Sequence, residues 1–185
     1  MSLLYVETHT SRGSVTVAHR VHTPEAVGST PTPATNFLKR KVEAMTQEQK
    51  KRFLELYCSD SSRPGYGSFL GHEVSDVHSG AVSARFVPGS RHMNGFGATH
   101  GGTIAGLIDS VGGLAAMTTL KKVVTSELNV SYIRPSSENQ ELRASAMVVH
   151  SGRNLVRVSA EVSDTNGKLI ATGNLTFFVV GELDL

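Results

Sequence analysis

Apolar and polar positions repeat with two different periods along this chain, and the change of period predicts a helix beside a sheet. Residues 101–120 are apolar or small almost without interruption, which predicts one buried helix over about 101–118. Beyond this helix the period becomes two, since Leu128, Val130 and Tyr132 alternate with polar residues. We therefore expect a long helix followed by four strands, arranged as an antiparallel meander.

Turn signals mark the ends of the other strands. Residues 151–154 and 165–167 place glycine and asparagine between strand-like runs, and the second turn contains the Asn-Gly pair that favours tight hairpins. Two further strand-like stretches, 68–78 and 80–87, precede the long helix. One helix, two strands, a long helix and four strands together predict an α+β fold, with the long helix against one face of the sheet.

The first quarter of the chain has a different character. Residues 1–44 are rich in serine, threonine and proline without a sustained apolar period, which predicts a flexible leader. Thr46 and Gln49 then form a capping-box pattern, so an N-terminal helix is expected over about 46–58. The chain is thus expected to consist of this leader and one folded domain at 45–185.

Composition limits the class of partner. The 185 residues are 39% hydrophobic, which suffices for one core, and the net charge of +2 comes without the dense basic stripe of proteins that bind duplex nucleic acid. We therefore expect no nucleic-acid partner. The single cysteine, Cys58, excludes an internal disulfide framework and any multi-cysteine metal site, and its apolar neighbours indicate a packing role.

The leader gives a weak signal for location. It carries Arg12 and Arg20 among serine and threonine, as transit peptides do, while Glu7 and Glu25 argue against such a peptide, so we expect a cytoplasmic or mitochondrial protein. Residues 101–120 approach the length of a membrane span. Their five glycines and one aspartate lower the hydrophobicity, so no membrane span is expected.

One carboxylate stands out in the apolar helix. Asp109 is the only charged residue between Gly101 and Leu120, and an unpaired carboxylate among apolar neighbours is costly to ionise. At the start of the helix, Gly101 and Gly102 offer free backbone N–H groups at the positive end of the helix dipole. Such a helix start is a natural oxyanion site, and Asn94 in the preceding loop can donate to a carbonyl through its amide.

The spacing of these groups affects how they can work together. Gly101 and Asp109 are about 12 Å apart along a helix that rises 1.5 Å per residue. The glycine of one subunit could therefore act with the carboxylate of another. The pattern indicates a small hydrolase with Asp109 as its acid-base or nucleophilic centre.

The motifs around this helix occur together in a known family. They read His92-x-Asn94, Gly97-x-x-His100-Gly101-Gly102 and Asp109, followed by 125–135 and His150-Ser151-Gly152-Arg153. This set resembles the hotdog-fold acyl-CoA thioesterases, in the branch of the phenylacetic-acid-pathway enzymes and the human thioesterase-superfamily proteins. The likeness covers roughly 65–180 and implies a curled antiparallel sheet wrapped around one long central helix.

The resemblance also implies roles for individual residues. Asn94 and the Gly101 N–H polarise the thioester carbonyl of an acyl-CoA. Asp109 activates water as general base or attacks directly, and Thr125 helps to place the water. A larger set lines the site for coenzyme A and substrate: His100, Gly102, Glu127, Tyr132, His150, Ser151, Gly152, Arg153, Asn154 and Leu155. Within this set Arg153 faces a phosphate.

Partners and cofactors follow from the same resemblance. Members of the family are homodimers or dimers of dimers with sites built across the subunit interface, so a homodimer, assembled into a dimer of dimers, is expected here. Neither a metal nor an organic cofactor is expected, since coenzyme A is part of the substrate. Both medium-to-long fatty acyl groups and aryl-acetyl groups are compatible with the sequence.

Other functions stay open. Hotdog domains also serve as non-catalytic acyl-CoA-binding modules, as sensors or adaptors, and as hydratases or dehydratases. A pure binder has no need of the carboxylate at Asp109, and a dehydratase is expected to pair a catalytic histidine with an acidic residue on the helix. A metal site at His92, His100 and Asp109 is not favoured, because no HExxH pattern accompanies these residues. A phosphate loop is not favoured either, because no Lys-Ser/Thr pair follows Gly102.

Overall fold

Three helices lie in the part of the chain that the structure describes. This computed structural model describes residues 45–58 and 65–185, so the predicted leader at 1–44 lies outside the described residues. The helices are α1 (Gln47–Phe53), continued by a π-helical turn (Leu54–Cys58), α2 (Tyr66–Leu70) and α3 (Gly101–Met117), with a 3₁₀ turn at Ser90–His92. The N-terminal and long helices predicted from the sequence are therefore confirmed.

The predicted capping box starts α1. The Gln49 N–H donates to the Thr46 hydroxyl at 3.2 Å, and the Thr46 N–H donates back to the Gln49 side-chain oxygen at 2.9 Å. Two N–H groups that the helix start would leave unpaired are thereby satisfied. At the other end of this segment, burial raises the pKa of the Cys58 thiol to about 11, in keeping with the packing role expected for it.

Six antiparallel strands form one sheet that curls around α3. They are β1 (Glu73–His78), β2 (Ala81–Phe86), β3 (Lys121–Tyr132), β4 (Leu142–Ser151), β5 (Leu155–Asp164) and β6 (Leu169–Glu182). Their order across the sheet is β1-β2-β4-β5-β6-β3, and α3 packs against β2 to β6. The expected α+β hotdog fold, with a curled sheet around one long helix, is confirmed.

The expected meander of four strands is wrong for its first member. β3 pairs with β6, as Leu128 opposite Leu175 illustrates, whereas β4 pairs with β2 on its other side. The reason lies at the end of α3, where only Thr118–Leu120 separate the helix from Lys121. A strand that follows so closely must form beside the helix end, and the curl of the sheet places its far edge there.

The predicted strand over 68–78 is also partly wrong. Residues Tyr66–Leu70 form α2, and Gly71 ends this helix with a left-handed φ of 70°, which glycine adopts at no steric cost. The strand begins only at Glu73. A helix of five residues is too short to display the 3.6-residue period from which helices are recognised in a sequence.

Close approach between α3 and the sheet explains two glycines. A Cβ at Gly112 would lie 3.0 Å from a methyl of Leu175, and a Cβ at Gly173 would overlap a methyl of Ile108. Ile108 and Leu175 are both fully enclosed in the core. These two glycines therefore serve packing.

A half-buried histidine beside α2 makes stability depend on pH. His72 Nδ1 has no hydrogen-bond partner among the described residues, and burial lowers the pKa of this imidazole below the usual 6.5. As the pH falls below about 6.5, the unfolded chain binds a proton at this imidazole before the folded chain does, so the free energy of unfolding decreases. We expect His72→Gln to flatten this loss between about pH 7 and pH 5 in urea unfolding curves. An equally steep loss in the variant would assign the acid sensitivity to other groups.

Candidate active site

The start of α3 presents a backbone donor. His100 is the N-cap, and its Nδ1 accepts from the Gly102 N–H at 2.9 Å, while its carbonyl accepts from Thr103 N–H at 2.9 Å. Within the described residues the Gly101 N–H donates to no acceptor. This N–H therefore remains available at the positive end of the helix dipole.

The loop before α3 holds Asn94 in one orientation. Its Oδ1 accepts from the N–H groups of Phe96, at 2.9 Å, and Ala98, at 3.1 Å. The Asn94 backbone N–H also donates to the carbonyl of Ala98 at 2.8 Å. Because the oxygen is used inside the turn, the side-chain NH₂ is the end left to donate, and among the described residues it has no acceptor.

Asn94 and Gly101 line the same cavity. It has a volume of about 330 Å³, and most of its wall is apolar. The other lining residues are Ala98, Thr99, Ile104, Tyr132, Ile133, Arg134, Pro135, Ser136 and Ile170. The structure thus brings together the two groups predicted to polarise a carbonyl, in a cavity of the size of a small-molecule site.

Tyr132 lies at the helix start. Its hydroxyl donates to the carbonyl of Gly101 at 3.0 Å, and a Cβ at position 101 would lie 3.4 Å from the ring. The sequence placed Tyr132 with the coenzyme A residues, and in the structure it forms a wall beside the Gly101 donor. A glycine at this position allows the ring to approach the helix backbone.

Asp109 and Thr125 form a direct pair. The Thr125 hydroxyl donates to Asp109 Oδ1 at 2.8 Å. A bulge between Thr125 and Glu127 adds one residue to β3, so that Thr125, opposite Phe177, faces α3. The carboxylate and the hydroxyl, which the family resemblance assigned to the same water molecule, are therefore in direct contact in the folded chain. The second carboxylate oxygen has no partner among the described residues.

Asp109 also lies on a different helix face from its apolar neighbours. Ile104, Leu107, Ile108 and Val111 are buried against the sheet, whereas Asp109 is only half-buried. Successive positions in a helix turn by about 100°, so a carboxylate can follow Ile108 in sequence and still leave the core. The cost of burying an unpaired charge, inferred from the sequence, is thereby avoided.

The two halves of the site are apart in one chain. Asp109 is not part of the cavity wall at Asn94 and Gly101, and it lies eight positions after Gly101 in α3, about 12 Å along the axis. β3 is the last strand of the sheet and pairs only with β6, so its outer edge has no partner strand among the described residues.

The hairpin between β4 and β5 lies at the far end of β3 from the cavity. Lys121, the first residue of β3, donates through Nζ to Ser151 Oγ at 2.8 Å and to the Gly152 carbonyl at 2.6 Å. Tyr132 ends β3, eleven residues later and about 36 Å away along the strand. Residues 150–155, predicted to bind coenzyme A, are therefore not brought to the cavity of their own chain.

Lys121 is a contact that the sequence analysis missed. It holds the turn of the hairpin, and its only sequence signal is a basic residue at the start of the strand that follows the helix. Glu127 accepts from the Thr176 hydroxyl at 3.2 Å, one residue along β6 from Phe177 and thus on the face turned away from α3.

His92 has a structural environment. It is buried between Phe69 and Phe86, its Nδ1 accepts from the Gly89 N–H at 2.9 Å, and its Nε2 donates to the Phe69 carbonyl at 3.3 Å. Both ring nitrogens are therefore used by the loop and by α2.

Over 45–58 and 65–185, no three histidine, cysteine or acidic side chains are grouped so that they could hold a metal ion.

Within the same described ranges, none of the helices combines the length and the apolar character that crossing a membrane requires.

Comparison with known proteins gives consistent results. The family model of the thioesterase superfamily matches residues 96–171. A candidate esterase of Halobacterium salinarum is 35% identical over 127 residues, which are 62% of this chain and 84% of the relative. Acyl-coenzyme A thioesterase 13 of Mus musculus is 34% identical over 89 residues, or 46% of this chain, and the match spans 64% of that relative, less than two thirds of its length.

A solved structure supports the same relationship. The crystal structure of zebrafish thioesterase superfamily member 2 superposes with a TM-score of 0.64 at 26% identity. The match covers 73% of this chain and 99% of that chain.

Proposed function

Because this chain belongs to the thioesterase superfamily, we propose that it hydrolyses acyl-coenzyme A to a free carboxylic acid and coenzyme A. The observation that carries the proposal is the pair of unpartnered donors, the Asn94 amide and the Gly101 N–H, on the wall of one cavity. A thioester carbonyl between them receives two hydrogen bonds, which strengthen as negative charge develops on its oxygen. The choice of acyl-coenzyme A rests on the name of the mouse relative.

Asp109 supplies the other half of the reaction. The Thr125 hydroxyl holds one carboxylate oxygen, and the other is available to a water molecule. As the water oxygen attacks the carbonyl carbon, the carboxylate takes its proton, and the tetrahedral intermediate then expels the thiolate as the C–S bond breaks. In the second route the carboxylate attacks the carbonyl carbon directly, and the C–S bond breaks to release the thiolate. Water then hydrolyses the resulting mixed anhydride to the free acid and restores the carboxylate. Thiolate is a good leaving group, so both routes proceed without a metal or an organic cofactor.

The complete site belongs to a homodimer. The Asn94 and Gly101 donors of one chain and the Asp109 carboxylate of the other meet, since about 12 Å of helix separates them within a chain. The outer edge of β3, which has no partner strand among the described residues, is a surface through which two copies can pair. Two such dimers then form the proposed dimer of dimers.

Coenzyme A extends from this site to the hairpin at 150–155. This hairpin is remote from the cavity of its own chain, so its Arg153 serves a site shared with the other subunit. Arg153 is exposed, and its guanidinium can hold a phosphate by two parallel hydrogen bonds. Lys121 keeps the turn in place beneath it.

The proposal is tested by measuring free thiol released from a panel of acyl-coenzyme A thioesters. Turnover with a preferred chain length supports a thioesterase. Binding of the thioesters without thiol release favours the sensor or adaptor function, and water addition to an enoyl-coenzyme A without thiol release favours a hydratase. Either of these two results overturns the proposal.

Arg153→Ala is expected to raise KM for acyl-coenzyme A by about ten-fold or more, since a charge-assisted hydrogen bond to phosphate is worth about 1.5–3 kcal/mol. Hydrolysis of the matching N-acetylcysteamine thioester, which lacks the nucleotide, is expected to stay at the wild-type rate. Steady-state kinetics with both thioesters provides the measurement. An equal loss for the two substrates contradicts the phosphate contact.

A further inference from the structure

Tyr66 of α2 packs against α3 at Gly106. A Cβ added at Gly106 would overlap the Tyr66 hydroxyl and would approach the ring carbons Cε1 and Cζ to 2.6 and 2.8 Å. The phenol edge thus rests on the helix backbone at a position that has no side chain. The hydroxyl has no hydrogen-bond partner among the described residues, and Tyr66 is 54% exposed.

The contact is held from the side of α2. Leu70 anchors this short helix in the core, and the Phe69 carbonyl accepts from the buried His92 at 3.3 Å. The Phe69 ring stacks on Tyr66 at 6.0 Å between centroids, with the Arg91 guanidinium 5.3 Å above its own centre. Tyr66 and Phe69 therefore form an aromatic wall, and both remain about half exposed.

The position of this wall relates it to the site. Gly106 precedes Asp109 by three residues, so the two are neighbours on one helix face, about 4.5 Å apart along the axis. Any group bound at the Asp109 carboxylate and extending along α3 towards its N-terminus meets the Tyr66 ring. We propose that Tyr66 limits the length of the acyl group, so that the wild-type protein accepts aryl-acetyl or medium-length acyl groups rather than long ones. This inference rests on the proposed function.

The chemistry of the wall favours the acyl chain over the coenzyme A arm as its neighbour. Two stacked aromatic rings offer an apolar surface, which suits hydrocarbon. The pantetheine arm carries two amides that need hydrogen-bond partners, and the wall provides only one hydroxyl. The phosphates suit the cationic residues Lys121 and Arg153 instead. These two residues lie at the end of β3 that is opposite to Tyr132 and to the start of α3.

The decisive variants are Tyr66→Ala and Tyr66→Phe. Removing the ring uncovers the surface of α3 at Gly106. Each additional methylene of the acyl group that becomes buried there is worth about a four-fold gain in kcat/KM. We expect Tyr66→Ala to raise the ratio of kcat/KM for long over short acyl-coenzyme A by about ten-fold or more, which corresponds to about two methylenes. Tyr66→Phe keeps the ring and is expected to retain the wild-type chain-length profile.

Two glycine variants in α3 provide an independent route. Gly106→Ala places a methyl where the Tyr66 hydroxyl lies, so the ring must move away. The chain-length profile is therefore expected to shift towards long acyl groups, as in Tyr66→Ala. Gly113→Ala is the matched control, because a Cβ there meets only Phe177, at an ordinary contact distance of 3.7 Å. It makes the same chemical change in the same helix and is expected to leave the profile unchanged.

The outcomes separate this inference from the proposed function. If both Tyr66→Ala and Gly106→Ala keep turnover and the wild-type chain-length profile, the proposed limit on acyl length is overturned. The proposed thioesterase function is unaffected by this result. A uniform rise of KM for every chain length in Tyr66→Ala places the ring against the coenzyme A arm and also overturns the proposed limit. Absence of thiol release by the wild-type protein removes the proposed function and this inference with it.

Discussion

Replacing Asp109 by asparagine is expected to lower kcat/KM for acyl-coenzyme A by about 10²–10⁴-fold, the usual contribution of a positioned acid-base group. Asparagine has nearly the same shape, and its side-chain oxygen can still accept the Thr125 hydroxyl that now lies 2.8 Å from Asp109 Oδ1. It can neither take a proton from water nor attack the carbonyl. The loss is therefore expected in turnover, with the melting temperature close to wild type.

The measurement is steady-state thiol release beside a thermal melt for each protein. Thr125→Val serves as the matched comparison, since it removes the hydroxyl and keeps the branched shape. It is expected to lose less activity than Asp109→Asn, because the carboxylate remains. A kcat/KM of Asp109→Asn within ten-fold of wild type, in a folded protein, contradicts the assigned role.

Replacing Asn94 by aspartate is expected to lower kcat by about 10²–10³-fold, as removal of an oxyanion donor does. The substitution removes the side-chain donor and keeps the hydrogen bonds of the turn. Aspartate keeps an oxygen that can accept from the N–H groups of Phe96 and Ala98, so the turn before α3 is preserved. The side-chain NH₂, proposed to donate to the substrate carbonyl, becomes a second oxygen, which would repel the developing oxyanion.

Asn94→Ala is the companion variant, because it removes the turn contacts together with the donor. A lower melting temperature for Asn94→Ala than for Asn94→Asp, with kcat reduced in both, separates loop stability from catalysis. Wild-type kcat in Asn94→Asp would remove this side chain from the reaction.

The two variants together test the shared site. If Asn94 of one chain works with Asp109 of the other, a mixed dimer of Asn94→Asp and Asp109→Asn chains contains one intact site and one doubly substituted site. Co-expression with two affinity tags is expected to restore about half of the wild-type activity per mixed dimer. No recovery in a purified mixed dimer contradicts the shared site and assigns the whole reaction to one chain.

Local signals in the sequence were strong enough to predict several parts of this molecule. The unbroken apolar run predicts α3, and the capping-box pair at Thr46 and Gln49 predicts the start of α1, since each depends on neighbours within one or two helical turns. The spacing of Asn94, Gly101 and Asp109 identified the family resemblance, and the comparisons confirm membership of the thioesterase superfamily.

Features that depend on distant residues were not predicted. The pairing of β3 with β6 joins positions about fifty residues apart, and alternation within a strand carries no information about which strand lies beside it. The short helix α2 was missed for a different reason, because five residues show no helical period. Gly71 ends this helix only in its folded context.

The sequence by itself supplied the candidate site residues, because residue type and spacing along one helix are local properties. Only the tertiary structure decided where they face. Helix rotation turns Asp109 away from the core towards Thr125, and folding of the loop before α3 places Asn94 and Gly101 on the wall of one cavity. The contact of Tyr66 with Gly106 likewise exists only because packing brings α2 onto α3, and long-range packing is not encoded in any short stretch of the chain.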